Sequence, residues 1–398
     1  MNSINLLPIK PTERIERIDI LRGFALLGIL LVNVFGYHAS FYHFGEFYSG
    51  LENSTDVAYF HWMVNLGSDK FIFLFSILFG FGFWMLQNKF HGNDRGFTMF
   101  YSRRMFALGL FGVLHIVLLW AGDILLVYSI LGLLLLAIRK LPTKTLLVIA
   151  VLSYFFSAWF IALRSFIPAL PDPLSTLTTL SMDQIIQIYG QGNFIDIMLT
   201  RINEYLVFRN INLLYYAPKV FSLFIVGYIA GRTNMLGKIK QKSLSYFFVT
   251  ISFFIAGLIL IFKLEAFLNF FSHPESDFYT SWYIFIYESG NGFLGLGYLL
   301  LILLISQTKF GLKILDPFKY AGRMALTNYL MQSLIFTTIF YAYGFGLFAQ
   351  VRPWQFLLWG LLVFIIQVIF SKIWLTWFRF GSLEYVWRRM TYGRPLKK

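Results

Sequence analysis

The chain has 398 residues, with 33 Lys and Arg against 19 Asp and Glu, a formal charge of +14 and only 13% charged residues beside 58% apolar ones. A soluble domain carries about 25% charged residues, so this composition cannot cover a water-facing surface. That excludes a soluble globule, a disordered chain, a collagen, a coiled coil and a disulfide scaffold. There is no Cys, hence no thiol nucleophile, disulfide or Cys metal site. The apolar residues fall in long unbroken runs, not in the short alternating segments of a membrane barrel, and predict an all-α, polytopic transmembrane helical bundle. In such a bundle the positive charge marks the cytoplasmic face and its anionic lipid headgroups; nucleic acid is not expected as a partner.

Residues 1–17 are polar, predicting a cytoplasmic N-terminal segment without a cleavable signal. Apolar runs then predict about ten spans, near 20–37, 69–88, 104–120, 122–139, 143–163, 214–232, 245–264, 280–305, 322–343 and 354–378. The piece 57–66 is too short to cross and reads as the start of the second span or a re-entrant segment. Lys and Arg alternate along the connections: loop 38–68 has none, loop 89–104 has Lys89, Arg95, Arg103 and Arg104, and the turn 121–123 again has none. The pattern continues at 232–243 and 307–323, and the 379–398 tail is basic. This predicts both termini in the cytoplasm. The outer loop 164–213 begins with Pro168, Pro171 and Pro173 and continues over 182–208 as an amphipathic surface helix broken near Gly190 and Gly192. No soluble domain boundary is visible, so residues 1–398 read as one integral-membrane domain.

Charged groups inside a bilayer cost at least about 2.5–3.5 kcal/mol on insertion scales, so they face a bundle interior or a wet cavity. Few occur. Arg22 and Asn33 share one face of the first span; Asp69 and Lys70 open the second; His115 lies near the outer end of the third, and Asp123 in the next turn. Glu288 and Asn291 are three apart, and Arg323, Thr327, Asn328 and Gln332 fall in the ninth span. An imidazole beside carboxylates and a lysine at one end, with two guanidiniums at the other, suits an anionic ligand entering from the cytoplasm and chemistry at the outer end. Each group also has a structural reading: interhelical hydrogen bonding for His115, Asn33, Asn328 and Gln332, an N-cap for Asp123, an ion pair for Asp69 and Lys70, an edge anchor for Arg22 and Arg323. His38, His43 and His61 gather with Glu46 in an outer loop without diagnostic metal spacing, and no metal is expected. P-loop, G-x-S-x-G and H-E-x-x-H motifs are absent.

Several segments resemble the YeiB family of bacterial inner-membrane proteins. They are residues 17–29 with Asn33, Lys70-Phe71 leading into Leu78-Phe79-Gly80, Gly112-Val113-Leu114-His115 with Trp120 and Gly122 to Leu125, residues 189–194 with Arg201, Gly322-Arg323-Met324 to Gln332, and residues 380–388. The Asp19-x-x-Arg22-Gly23 entry, with a polar residue eleven after the Arg, is also similar to transmembrane acyltransferases such as heparan-alpha-glucosaminide N-acetyltransferase. The polysaccharide-modifying members of that group usually have His where this chain has Asn33. The resemblance implies an inner-membrane, homodimeric acyltransferase; acyl-CoA or acetyl-CoA would be co-substrate and a glycan or lipid at the outer face the acceptor. In this expectation Arg22 and Arg323 hold the phosphates and His115 is the general base. Asp123 or Glu288 orients His115, and Asn33 or Lys70 stabilises the oxyanion. Asn328 and Gln332 complete the expected donor site. The alternative is a non-enzymatic binder or transporter of a quinone or lipid.

Overall fold

The computed structural model describes residues 16–90, 93–164, 180–263 and 277–393, and these are all-helical. The expected spans begin with α1 (Glu16–His38). Two short helices, α2 (Phe44–Ser49) and α3 (Ser54–Trp62), follow. A π-turn then joins α3 to α4 (Lys70–Asn88), so the 57–66 piece is continuous with the second span. The chain continues through α5 (Asp94–Leu118), α6 (Leu125–Ile138), α7 (Thr143–Tyr154) and α8 (Phe156–Arg164). The stretch expected as a surface helix forms α9 (Met182–Gln191) and α10 (Phe194–Ile211), with Gly192 at the break. Then come α11 (Ala217–Arg232), α12 (Met235–Gln241), α13 (Ser243–Phe262), α14 (Asp277–Ile305), α15 (Lys309–Arg323), α16 (Ala325–Phe340), α17 (Pro353–Trp377) and α18 (Ser382–Tyr392). Pro168, Pro171 and Pro173 lie outside the described residues.

Among the described residues seven helices are long and apolar enough to cross a membrane, and eight if the pair Thr143–Tyr154 and Phe156–Leu163, bent by 60°, is one span. Seven or eight of the ten spans expected from apolar runs thus meet that length among the described residues. Two expected spans are too short: α6 has 14 residues and α16 has 16. At about 1.5 Å per residue they reach roughly 21 and 24 Å, against a hydrocarbon core of about 30 Å. Both start inside the bundle. The turn after α5 folds back into the protein, and α15 breaks at Met324 before α16 begins.

Apolar exposure marks the lipid face. Leu244, Phe248, Ile255 and Ile259 on α13, and Leu358, Leu362, Ile365 and Ile369 on α17, are exposed. Such stripes are stable only in lipid. The interior closes through small residues. A Cβ on Gly80 of α4 would lie 1.9 Å from Phe224 O of α11, and one on Gly227 would lie 2.0 Å from Ile77 O. The two backbones touch where only hydrogen fits, which is how helices gain dispersion contact without a hydrophobic driving force.

Candidate functional site: a basic cavity and a buried histidine relay

A cavity of about 240 Å³ lies between the N-terminal ends of α1, α5, α6 and α16, the C-terminal end of α4, and the tail helix α18. Its position follows from two Arg-Gly neighbours. A Cβ on Gly23 would meet Phe318 O at 2.0 Å, and one on Gly322 would meet Asp19 O at 1.9 Å. α1 and α15 are thus locked backbone to backbone, and the adjacent Arg22 and Arg323 are carried to the same wall. Arg104, Arg379 and Arg388 join them, giving five guanidiniums against two carboxylates, Asp19 and Glu384. Arg22 Nη1 donates to Asp19 Oδ1 at 3.2 Å. The Arg104 guanidinium lies 3.6 Å from the Trp387 ring centroid, and Trp387 Nε1 donates to Arg104 O at 2.8 Å, pinning the tail helix to α5. Glu384 accepts from Leu326 N at 2.7 Å, Thr327 N at 3.1 Å and Thr327 Oγ1 at 2.6 Å, capping α16.

The inner end of the cavity is apolar and ends at Leu108, Ile124, Leu125, Tyr128 and Tyr329. Tyr329 is the partition. Its ring faces the cavity on one side and lies 5.2 Å, centroid to centroid, from the His115 imidazole. His115 sits eleven residues beyond Arg104 on α5, a rise of roughly 16 Å.

Around His115 a continuous hydrogen-bonded chain is buried. Nδ1 is 2.8 Å from Asp123 Oδ1, Nε2 is 2.8 Å from Ser333 Oγ, and Ser333 Oγ is 2.8 Å from Tyr37 OH. Asn33 lies against the same Tyr37 hydroxyl. The other Asp123 oxygen accepts from Leu126 N at 2.7 Å. Gly112 makes room for this turn, since a Cβ there would stand 2.4 Å from Leu126 N and 2.9 Å from Asp123 Oδ2. An ionised carboxylate only accepts, so it fixes the proton on Nδ1 and leaves Nε2 as acceptor for the Ser333 hydroxyl. Trp120 packs against the chain, its Nε1 donating to Gly36 O at 3.0 Å and its ring 4.3 Å from that of Tyr37.

The structure brings together His115, Asp123 and, through Tyr37, Asn33; at the cavity it brings together Arg22 and Arg323. It does not bring Glu288 or Lys70 to His115. Glu288 Oε1 accepts from Lys219 Nζ at 2.8 Å, and Lys219 also pairs with Asp69 Oδ2 at 3.0 Å. Asp69 holds this pairing at a φ of 67°, an uncommon conformation for Asp. Lys70 is buried, with Nζ 3.4 Å from Val64 O. Asn328 and Gln332 do not line the cavity. They tie α16 to α17: Asn328 Nδ2 donates to Ser371 Oγ at 2.9 Å, Gln332 Nε2 to Gln367 Oε1 at 2.9 Å, and Gln367 Nε2 to Asn328 O at 3.0 Å. Sequence reasoning missed Ser333, Tyr37 and Lys219, whose partners are distant in sequence. It also missed Glu204, which accepts from the Ser40 hydroxyl, from Phe41 N at 2.6 Å and from Tyr189 OH at 2.6 Å. Burial pushes the Glu204 carboxyl above the usual carboxylate range. His43 Nε2 donates to Leu180 O and Nδ1 pairs with Glu46 Oε2, both at 2.7 Å; the Leu180 carbonyl, ahead of Glu46, raises its pKa.

The fold and site define a multi-pass helical membrane protein with a basic cavity that ends at a sealed Asp-His-Ser relay. Residues 230–394 match the family described as "Protein of unknown function (DUF418)". The chain is 33% identical over 412 residues to the uncharacterized protein YxaH of Bacillus subtilis (strain 168), covering 99% of this chain and 98% of that one. It is 29% identical over 394 residues to the uncharacterized protein YeiB of Escherichia coli (strain K12), covering 95% and 96%. An uncharacterized 39.9 kDa protein of Bacillus acidopullulyticus is 28% identical over 396 residues. The chain belongs to the DUF418 family, with YeiB and YxaH as full-length relatives.

Proposed function

We propose that this protein is an acyltransferase of the bacterial inner membrane that moves an acyl group from a cytoplasmic acyl-CoA to a glycan or lipid at the outer face. The observation that carries the reading is that the Asp123–His115–Ser333 chain stands one side chain, Tyr329, beyond a cavity lined by five arginines. Guanidiniums hold phosphates by charge-assisted, often bidentate hydrogen bonds. An imidazole oriented by a carboxylate takes a proton from a hydroxyl during acyl transfer. Basic residues at the cavity end and basic connections elsewhere support a cytoplasmic mouth by the positive-inside rule. The thioester then never leaves the cell. Arg22, Arg104 and Arg323 hold the phosphates, with Arg379 and Arg388 contributed by the tail. His115 is the base, Asp123 orients it, and Tyr37 with Asn33 stands on the opposite side of the reacting hydroxyl.

The test uses purified protein in lipid nanodiscs with acetyl-CoA and longer acyl-CoAs, following release of free CoA thiol. The reading expects thiol release that His115→Ala abolishes. No detectable CoA binding, with wild type and His115→Ala behaving alike, refutes it in favour of a binder of hydrophobic small molecules. Reporter fusions after residues 140 and 240 should read cytoplasmic and one near residue 50 external. The opposite signals would place the arginine cavity at the wrong face for a cytoplasmic donor.

A further inference from the structure

Resting on the acyl-transfer reading, we propose that Ser333 is the nucleophile of a double-displacement reaction, carrying the acyl group as a serine ester between thioester donor and hydroxyl acceptor. A serine in a transmembrane helix ordinarily satisfies its hydroxyl on the carbonyl one turn back. Here that contact, Ser333 Oγ to Tyr329 O, is 3.5 Å, while the 2.8 Å contacts go to His115 Nε2 and Tyr37 OH. The chain therefore has one consistent direction. Tyr37 donates to Ser333, Ser333 to His115 Nε2, and His115 Nδ1 to Asp123. Each proton is used once, and the hydroxyl placed for deprotonation belongs to the protein. Ser333 is fully buried, and so is His115, so water is kept from an ester formed there. An acyl-serine also reconciles a donor arriving through the basic cavity with an acceptor on the other side, because the two need never occupy the site together.

Ser333 Oγ bonds to the thioester carbonyl carbon as its proton passes to His115 Nε2, and the Tyr37 phenol donates to the oxyanion. The C–S bond then breaks, the thiol leaving with the proton from His115. In the second half an acceptor hydroxyl gives its proton to His115 and bonds to the acyl carbon. The bond to Ser333 Oγ breaks and the serine recovers that proton. Asp123 remains ionised, accepting from Nδ1 throughout. For the thioester to reach Ser333, the Tyr329 side chain must swing from its place, where its hydroxyl donates to Gly122 O at 3.3 Å.

Two probes test this on the full chain in nanodiscs. A fluorophosphonate, which marks activated serines without any acyl donor, should label wild type and fail to label Ser333→Ala and His115→Ala. Acetyl-CoA or octanoyl-CoA, quenched in acid and mapped by peptide mass spectrometry, should leave an acyl group on Ser333. Ser333→Ala should lower thiol release by about 10³-fold or more, and Ser333→Cys, which keeps a nucleophile and the His115 contact, should trap the acyl group as a thioester. Thiol release in wild type without any adduct, retained in Ser333→Ala, overturns the covalent step and leaves acyl transfer by direct attack standing. Absence of both thiol release and fluorophosphonate labelling overturns the nucleophile together with the acyl-transfer reading.

Discussion

Gly80→Ala is the sharpest perturbation of the helix packing. The added Cβ would sit 1.9 Å from Phe224 O, whereas a close carbon–oxygen contact in proteins is about 3.3 Å. α4 and α11 would therefore have to separate by roughly 1.4 Å along that line. A radial gap of about 0.5–1 Å already forfeits a quarter to a half of a contact's dispersion energy. The interlocked Gly227, whose own Cβ position is 2.0 Å from Ile77 O, shares the loss. The expected cost is that of forced overpacking, about 1–3 kcal/mol. It outweighs the roughly 0.5–1 kcal/mol that Ala gains over Gly inside a helix. Thermal unfolding in nanodiscs should show the midpoint several degrees below wild type for Gly80→Ala and for Gly227→Ala. The internal control is Gly45→Ala, because nothing lies within 4 Å of a Cβ there; it should match wild type or exceed it. A Gly80→Ala midpoint equal to that of Gly45→Ala would refute the argument that α4 and α11 meet backbone to backbone.

Asp123→Asn keeps the shape of the relay but presents an amide that no longer fixes the imidazole proton on Nδ1; thiol release should fall by about 10²–10⁴-fold with little change in the unfolding midpoint. Glu384→Ala removes acceptors for Leu326 N, Thr327 N and Thr327 Oγ1. It should cost about 0.5–2 kcal/mol, read as a lowered midpoint in the same assay. Because burial raises the Glu204 carboxyl above its ordinary value, the folded state holds a proton that the unfolded state has released. Its contribution to stability is then lost as pH rises from the ordinary glutamate pKa through the folded value. In a series of unfolding midpoints across that window, wild type should decline with pH more steeply than Glu204→Gln; equal slopes would contradict this.

The helical membrane class was legible because it rests on composition and run length, which packing cannot overturn. Span counting was less secure where apolar runs do not coincide with crossing helices. Residues 122–139 and 322–343 are as hydrophobic as a span, yet α6 and α16 begin at interior turns held by Asp123 and Glu384. Asp123, in the turn before α6, and Ser333, further along α16, carry the relay. His115 and Asp123 were legible as partners because a tight turn separates them by eight residues. Ser333 and Tyr37 were not, since a lone hydroxyl in a transmembrane helix has no spacing signature and their contacts span 218 and 296 residues of sequence. Arg104, Arg379 and Arg388 counted in the sequence only as basic residues of a loop and of the tail. Only the fold, with the tail helix laid against α5 through Trp387, gathers them with Arg22 and Arg323. Glu288 was read toward His115 because its partner Lys219 lies on another span, 69 residues away.

The most direct measurement is a cryo-electron-microscopy structure of the protein in nanodiscs with a non-hydrolysable thioether analogue of acyl-CoA. The account predicts phosphate density against Arg22, Arg104 and Arg323, a displaced Tyr329 ring, and the carbonyl of the analogue within hydrogen-bonding distance of Ser333 Oγ and Tyr37 OH. Density for the analogue lodged elsewhere, with Tyr329 still closed over His115, would contradict it.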